Sequence, residues 1–282
     1  MSNLTQPSEI YFHVGLPKTA STFLQRNVFP QFQDIHFVKK HDFQHRDKII
    51  ANYPGARFLL SIEMDLQNEP GLAKIRDVSS KYPQTRPIVV FRKHGSWLKS
   101  KYKYYLRKHG SYDFDHFFDL ENNSGVFKTE DLFFYDRIQI LEKHFQKKPL
   151  VFFQEELKKA PFKVIDQMAS LLNVRYNPDD IKISNVKSSY SEKQLKLIRK
   201  FNRSYKFDKE KVKPGFRRFC YKKFGGLLLH SVAYAALLIP DSMMDKNPLI
   251  PKSIVEKVNK SYQEDWQKCV NYARDIRNEV FL

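Results

Sequence analysis

The run Ile10-Tyr11-Phe12-His13-Val14 is rich in β-forming residues and stops at Gly15, and from Ser21 to Phe29 the apolar residues Phe23, Leu24, Val28 and Phe29 recur at helical spacing. A strand, a turn bearing Gly and Pro, and then a helix is the context in which a backbone cradles an anion. The first helical turn has unpaired N–H groups, and the helix dipole favours negative charge there. Within the turn, Lys18 supplies a cation and Thr19, Ser21 and Thr22 supply hydroxyl donors. The loop therefore suits a multiply charged oxyanion. It is not the G-x-x-x-x-G-K-S/T loop of nucleotide triphosphatases: Lys18 follows Pro17, no second Gly precedes it, and no Ser or Thr follows a Gly-Lys pair to hold magnesium.

The same alternation continues along the chain. Arg57-Phe58-Leu59-Leu60-Ser61-Ile62 reads as a second strand running into Glu63. Pro87-Ile88-Val89-Val90-Phe91 reads as a third, nearly all apolar as an interior parallel strand should be. Helical patterns follow over Gly95 to Lys108 and Asp131 to Phe145. Leu150-Val151-Phe152-Phe153 is a fourth strand, with a helix over Pro161 to Leu172 behind it. Strands alternating with helices predict an α/β fold of three layers, a central parallel sheet flanked by helices with right-handed crossovers. After Ser191 the strand signals stop: Glu192 to Asn202 and Ser253 to Arg277 read as helices, and Lys209 to Arg218 as a basic turn. The expected organisation is one domain over residues 1–282, with 1–9 a flexible N-terminus and about 205–282 a helical C-terminal part.

The net charge is +18, from 49 Lys and Arg against 31 Asp and Glu, which predicts an anionic partner. These cations are dispersed from Lys18 to Arg277 and form no tail, so charge alone does not choose between nucleic acid, membrane and a small polyanion. The two cysteines, Cys220 and Cys269, make neither a disulfide framework nor a metal spacing. No apolar run reaches the length of a transmembrane helix; Gly225 to Pro240 comes nearest and is broken by His230. The first nine residues lack the apolar core of a signal peptide, and the expected location is the cytoplasm, including the inner membrane face.

The order Gly15-Leu16-Pro17-Lys18-Thr19-Ala20-Ser21-Thr22 resembles the 5′-phosphosulfate loop of sulfotransferases that use 3′-phosphoadenosine 5′-phosphosulfate (PAPS). Members of that family usually carry Gly where this chain has Ala20, which narrows the backbone freedom there. A second match supports the first. The family has an Arg at the end of a central strand and a Ser eight residues on, both gripping the 3′-phosphate. Here the third strand ends at Arg92 and Ser100 lies eight residues later, with Ser96 as an alternative. A guanidinium at a strand's C-terminal edge can fork onto a phosphate, and a hydroxyl from the next helix completes the contact. Phe153-Gln154-Glu155-Glu156-Leu157 is similar to the family's Tyr-Glu-Asp-Leu type segment, and the stretch from Asn185 through Ser188 and Ser189 to Asn202 to a later pattern. The resemblance spans about residues 10–205 and is closest to the bacterial and carbohydrate-type branch, with its P-loop NTPase-like sulfotransferase fold.

The resemblance implies transfer of the sulfonyl group from PAPS to a hydroxyl acceptor without a metal, releasing adenosine 3′,5′-bisphosphate. Pro17, Lys18, Thr19, Ala20, Ser21, Thr22, Arg92 and Ser100 would bind the nucleotide, and Lys18 would neutralise charge on the leaving phosphate oxygen. Glu63 is the preferred general base, because it leaves its strand at the sheet's carboxyl edge, where α/β proteins bind ligands. Ser61-Ile62-Glu63 is also similar to a Ser-x-Glu segment of bacterial sulfotransferases. His41, His45 and His94 compete for that role, while His13, inside a strand, reads as a hydrogen-bonded core residue. The acceptor stays open among saccharide, glycolipid, sterol and other lipid alcohols; nucleic acid is not expected. Residues 216–240 mix aromatics and cations with an apolar run. They read as helices packing on the core, or as a peripheral membrane contact. Lys213, Arg217 and Arg218 could add phosphate contacts. The rival readings are a basic polyanion-binding protein with a vestigial phosphate loop and a P-loop kinase.

Overall fold

The computed structural model describes residues 7–183, 190–205 and 216–281. In chain order these form β1 (Glu9–Gly15), α1 (Ser21–Phe23), β2 (His36–Val38), α2 (Arg46–Asn52), β3 (Arg57–Glu63), α3 (Glu69–Lys81), β4 (Arg86–Phe91), α4 (His94–Arg107), α5 (Phe114–Phe117), α6 (Tyr135–His144), β5 (Leu150–Phe153), α7 (Gln154–Lys159), α8 (Pro161–Leu171), α9 (Glu192–Tyr205), α10 (Phe216–Leu238), α11 (Lys252–Ser261) and α12 (Gln263–Phe281). They gather into two compact units. One comprises Met1–His94, Phe133–Val186 and Tyr262–Leu282, and the other Gly95–Leu132 and Lys187–Ser261.

The first unit holds a five-stranded sheet in the order β2-β3-β1-β4-β5, parallel throughout. This is the α/β arrangement that the strand–helix alternation predicts. Side chains alternate along each strand, so Tyr11, Leu59, Ile88, Val90, Leu150 and Phe152 join one core with Leu24, Val28 and Phe29 and with Val164, Ile165 and Met168 of α8. On the other face Phe12 stacks on Phe43 at 5.6 Å, Phe91 on Phe134 at 5.1 Å, and Phe153 meets Trp266 edge-on at 4.8 Å. Burial on both faces is why these strands are nearly continuous apolar runs. The edge strand β5 is guarded by Arg277 of α12, whose Nη2 donates to the Val151 carbonyl at 3.2 Å, occupying an acceptor that another strand could otherwise pair with.

The second unit is helical among its described residues. α9 packs on α10, and Asn202 of α9 donates to the carbonyls of Leu106 and Gly110 at 2.9 and 2.8 Å, satisfying orphan acceptors where α4 ends. Phe216 to Arg218, read as the end of a basic turn, are the first turn of α10 instead. The length of α10 explains the difference: 23 residues let the helix run upstream of its apolar part. Residues 206–215, including Lys213, lie outside the described residues, as do Asn185, Ser188 and Ser189.

Candidate functional site

β1 delivers the chain to the sheet's carboxyl edge at Gly15. A Cβ there would stand 2.7 Å from the Ser21 Oγ and 3.1 Å from the His13 ring, so only glycine lets the loop fold back over the strand end. The loop closes on the Leu16 carbonyl, which accepts from the Thr19 hydroxyl at 2.8 Å and the Ser21 hydroxyl at 3.1 Å. Thr19 and Ser21 are thus spent on loop shape, and Lys18 and Thr22 are half-buried. Lys18 and Ala20 both adopt left-handed backbone, φ 73° and 71°. Alternating left- and right-handed residues turn successive N–H groups toward a common concavity, the shape that holds an oxyanion. At Ala20 an L residue in that region costs about 1–2 kcal/mol, which a glycine would escape.

The helix after the loop does not run as one regular α-helix from Ser21 to Phe29. Three α-helical residues pass into a wider π turn at Leu24–Val28 and a tight turn at Phe29–Gln31 containing Pro30. The π turn carries Gln25, whose side-chain amide donates to the Ser61 Oγ at 2.9 Å, and that oxygen in turn meets the His13 Nδ1 at 2.7 Å. β1, β3 and the loop's helix are tied together by this buried chain of polar groups. Burial pushes the His13 pKa down to about 3, so the ring is neutral at physiological pH.

Glu63 ends β3 and is the register partner of Gly15, so its backbone lies directly beside the mouth of the loop. Alternation puts its side chain on the face shared by Ser61 and His13. It is half-buried, and among the described residues no hydrogen bond or ion pair engages its carboxylate. Met64 follows, its N–H donating to the Gly15 carbonyl at 3.0 Å, which locks the strand exit to the loop. Downstream, the fully buried Arg137 of α6 holds the same connection through Gln67 and through Asp65 at 3.5 Å.

Arg92 leaves β4 at the same edge. Its Nη1 donates to the Lys18 carbonyl at 3.4 Å, so the strand-end arginine and the Gly15–Thr22 loop meet. Two neighbours were not singled out by the sequence reading. Glu155 of α7 accepts from the Lys93 N–H at 3.0 Å and faces Arg92, and Lys158, one turn on, faces both. Burial lowers the Arg92 pKa, opposed by the Glu155 charge; burial and then the Arg92 charge lower that of Lys158. Two cations thus face one carboxylate here, Arg92 and Lys158 against Glu155. Three buried polar atoms here have no hydrogen-bond partner among the described residues: Arg92 Nε, Gln154 Oε1 and Glu155 Oε2. Each such atom costs about 1–3 kcal/mol unless a ligand or water completes it. Glu155 falls inside the segment from Phe153 to Leu157 and Lys158 one residue beyond it, but neither spacing shows a meeting with Arg92.

The rival bases separate by environment. His94 sits in the core, sandwiched by Phe134 at 4.3 Å and Tyr262 at 5.2 Å, with Nε2 on the Asp265 carboxylate at 2.9 Å. Asp265 also accepts from the Phe134 and Tyr135 N–H groups at 3.0 and 3.1 Å, capping α6. The His94 ring is therefore engaged in packing and by Asp265. His41 and His45 are exposed, on Asp42 at 3.3 Å and Gln44 at 3.0 Å respectively. Ser100 lies in the second unit, half-buried on α4 and four residues from Ser96 on the same helix face. The side chains of Arg217 and Arg218 lie outside what is described.

No protein-family model matches the chain, and no curated protein does. Among solved structures, a sulfotransferase from Alicyclobacillus acidocaldarius is similar, with a TM-score of 0.49 at 16% identity, over 64% of this chain and 87% of that one. Mouse sulfotransferase SULT7A1, complexed with PAP, gives a TM-score of 0.43 at 18% identity, over 63% of this chain and 64% of that one.

Proposed function

We propose that this protein is a PAPS-dependent sulfotransferase acting on a hydroxyl acceptor. The observation that carries the reading is the meeting of Arg92 with the Gly15–Thr22 loop at Lys18, which sets two anion-binding groups on one sheet edge. A nucleotide with phosphate at both 5′ and 3′ positions needs two such groups. The orphaned atoms of Arg92 and Gln154 fit a ligand that offers both acceptors and donors, as a phosphorylated adenosine does.

In this reading the loop N–H groups and Lys18 hold the 5′-phosphosulfate, and Arg92, with Lys158 nearby, holds the 3′-phosphate. Ser100 keeps the 3′-phosphate role that the sequence resemblance implies. The acceptor oxygen attacks sulfur as the bond from sulfur to the bridging phosphate oxygen breaks. The acceptor's proton passes to Glu63, and the negative charge left on the phosphate is met by Lys18. The carboxylate of Glu63 beside Gly15 supports it as the base, and the burial of His94 against Asp265 counts against that histidine. The acceptor class stays as wide as saccharide, glycolipid, sterol or another lipid alcohol.

Thermal shift tests the donor. Adenosine 3′,5′-bisphosphate should stabilise the protein without magnesium and more than ATP does, and Arg92→Ala should weaken that binding by roughly 10–100-fold. A larger shift from ATP with magnesium would point to a kinase instead. Salt-sensitive polyanion binding that survives both Lys18→Ala and Arg92→Ala would point to a vestigial loop. Transfer from labelled PAPS across a panel of hydroxyl acceptors identifies the second substrate.

A further inference from the structure

The second half of α10, residues 226–238, reads Gly-Leu-Leu-Leu-His-Ser-Val-Ala-Tyr-Ala-Ala-Leu-Leu and contains no Asp, Glu, Lys or Arg. Apart from His230 and Ser231 the stretch is apolar or aromatic, and a helix that apolar is ordinarily covered on most sides. Here only one side is. Leu229, Ala233 and Ala236 are buried, at the spacing of one helix face. On the opposite side Leu227, Tyr234 and Leu238 are 64%, 63% and 87% exposed, flanked by exposed Leu228 and Leu237 and followed by exposed Met243.

The rest of the helix indicates what covers that face. Between Phe216 and Phe224 the sequence carries Arg217, Arg218, Lys222 and Lys223, with aromatics between them and no acidic residue. Cations and aromatics leading into an exposed leucine face are the composition of a helix that lies in a lipid–water boundary. The apolar part is about 20 Å long at 1.5 Å per residue, short of the roughly 30 Å hydrocarbon core. Among the described residues no helix is long and apolar enough to cross a membrane. The basic residues that lead into the leucine face favour an anionic surface as its cover over a second copy of the same basic chain, whose net charge is also +18. We propose that α10 is a peripheral docking element for an anionic lipid bilayer, its leucine face seated among acyl chains and its basic half on the headgroups.

The proposal does not depend on the catalytic reading, and neither does its test. The full chain is sedimented with vesicles of phosphatidylcholine alone and of phosphatidylcholine with phosphatidylglycerol. Binding to the anionic vesicles is expected, weakening with added salt. The double substitution Leu227→Asp, Leu238→Asp, and independently Tyr234→Ser, should reduce it, the former by about tenfold or more. Arg217→Gln with Arg218→Gln should reduce it by roughly thirtyfold. Circular dichroism confirms that each variant is folded. Absence of binding to anionic vesicles, or folded variants that bind like the parent, overturns the proposal. So does a dimer in light scattering that L227D/L238D splits into monomers, since a second copy would then cover the face.

Discussion

The carboxyl edge of the sheet and the outer face of α10 break the ordinary inside–outside rule in opposite directions. At the edge, polar groups are buried: His13, Thr19, Ser21 and Ser61 are all inside, and all make a hydrogen bond. On α10, large apolar side chains stand in solvent. Buried polar atoms lose stability whenever one member of a pair is removed, because water cannot replace it. Exposed leucines can become polar with stability changes usually within about 0.5 kcal/mol. The edge should therefore answer to substitution through stability and, in the proposed reading, through binding and turnover as well. α10 should answer through lipid binding alone, and a large fall in the thermal midpoint of L227D/L238D would break the contrast.

The largest effect is expected at Lys18. Removing a charge-assisted donor should weaken nucleotide affinity by about a hundredfold, and losing charge neutralisation at the leaving oxygen should slow turnover by about a further hundredfold. Lys18→Ala should thus lower kcat/KM by about 10⁴, with adenosine 3′,5′-bisphosphate no longer shifting the thermal midpoint at concentrations that shift the parent. Glu63→Gln sharpens the edge internally. A general base acts on the proton and not on the nucleotide, so kcat should fall by about 10²–10³ while the affinity for adenosine 3′,5′-bisphosphate is unchanged. Equal losses in both would make Glu63 a binding residue. Unchanged turnover would end its claim.

How much of this was legible in the sequence follows from distance along the chain. The turn between β1 and α1 was legible because its determinants are contiguous from Gly15 to Thr22. β1, β3, β4 and β5 were legible because strands buried on both faces are unbroken apolar runs. β2, three residues over His36–Val38, is too short to show a period, and α7 starts on the residue after β5 with no turn residue to announce it. α3 carried local signals that could have been read, Asn68 capping the Gly71 N–H at 2.9 Å and Pro70 in the first turn. The company Arg92 keeps was not legible, because Glu155 reaches it only once β4 and β5 pair along the sheet. The setting of His94 was not legible for the same reason: its partner Asp265 is 171 residues away. The regular helix expected over Ser21–Phe29 missed the π turn that lets Gln25 reach Ser61.

That buried polar chain makes a pH prediction of intermediate size. His13 has its pKa lowered from 6.5 to about 3, so between those values the unfolded chain binds a proton that the folded chain refuses. Stability therefore falls as pH drops below about 6.5 and is preserved above it, with a slope of about 1.4 kcal/mol per pH unit for one such group. Other groups contribute to the overall curve, so the comparison is with His13→Asn. The variant should be less stable near neutral pH, because it loses the fit to Ser61 and Phe29, and its thermal midpoint should fall less steeply with acid. Parallel curves for parent and variant would mean that His13 is not the group refusing the proton.

The smallest effect, at Ala20, separates loop shape from loop chemistry. Its φ of 71° costs an alanine about 1–2 kcal/mol relative to ordinary backbone, which a glycine escapes. Glycine in turn gives the unfolded chain more freedom, worth about 0.4–1 kcal/mol against folding. The difference leaves Ala20→Gly more stable by about 0.5 kcal/mol, a rise in midpoint of only about 1–2 °C for a chain of this size. Ala20→Val should move the midpoint the other way and further, since a β-branched residue is poorly tolerated at positive φ. Ala20 contributes no charge or hydroxyl, so glycine there should leave kcat within about twofold if the loop acts through Lys18 and its N–H groups. A large gain in nucleotide affinity from Ala20→Gly would instead mean that alanine holds the loop away from its binding shape. The left-handed turn at Lys18, also at positive φ, would then be the part of the loop set by strain.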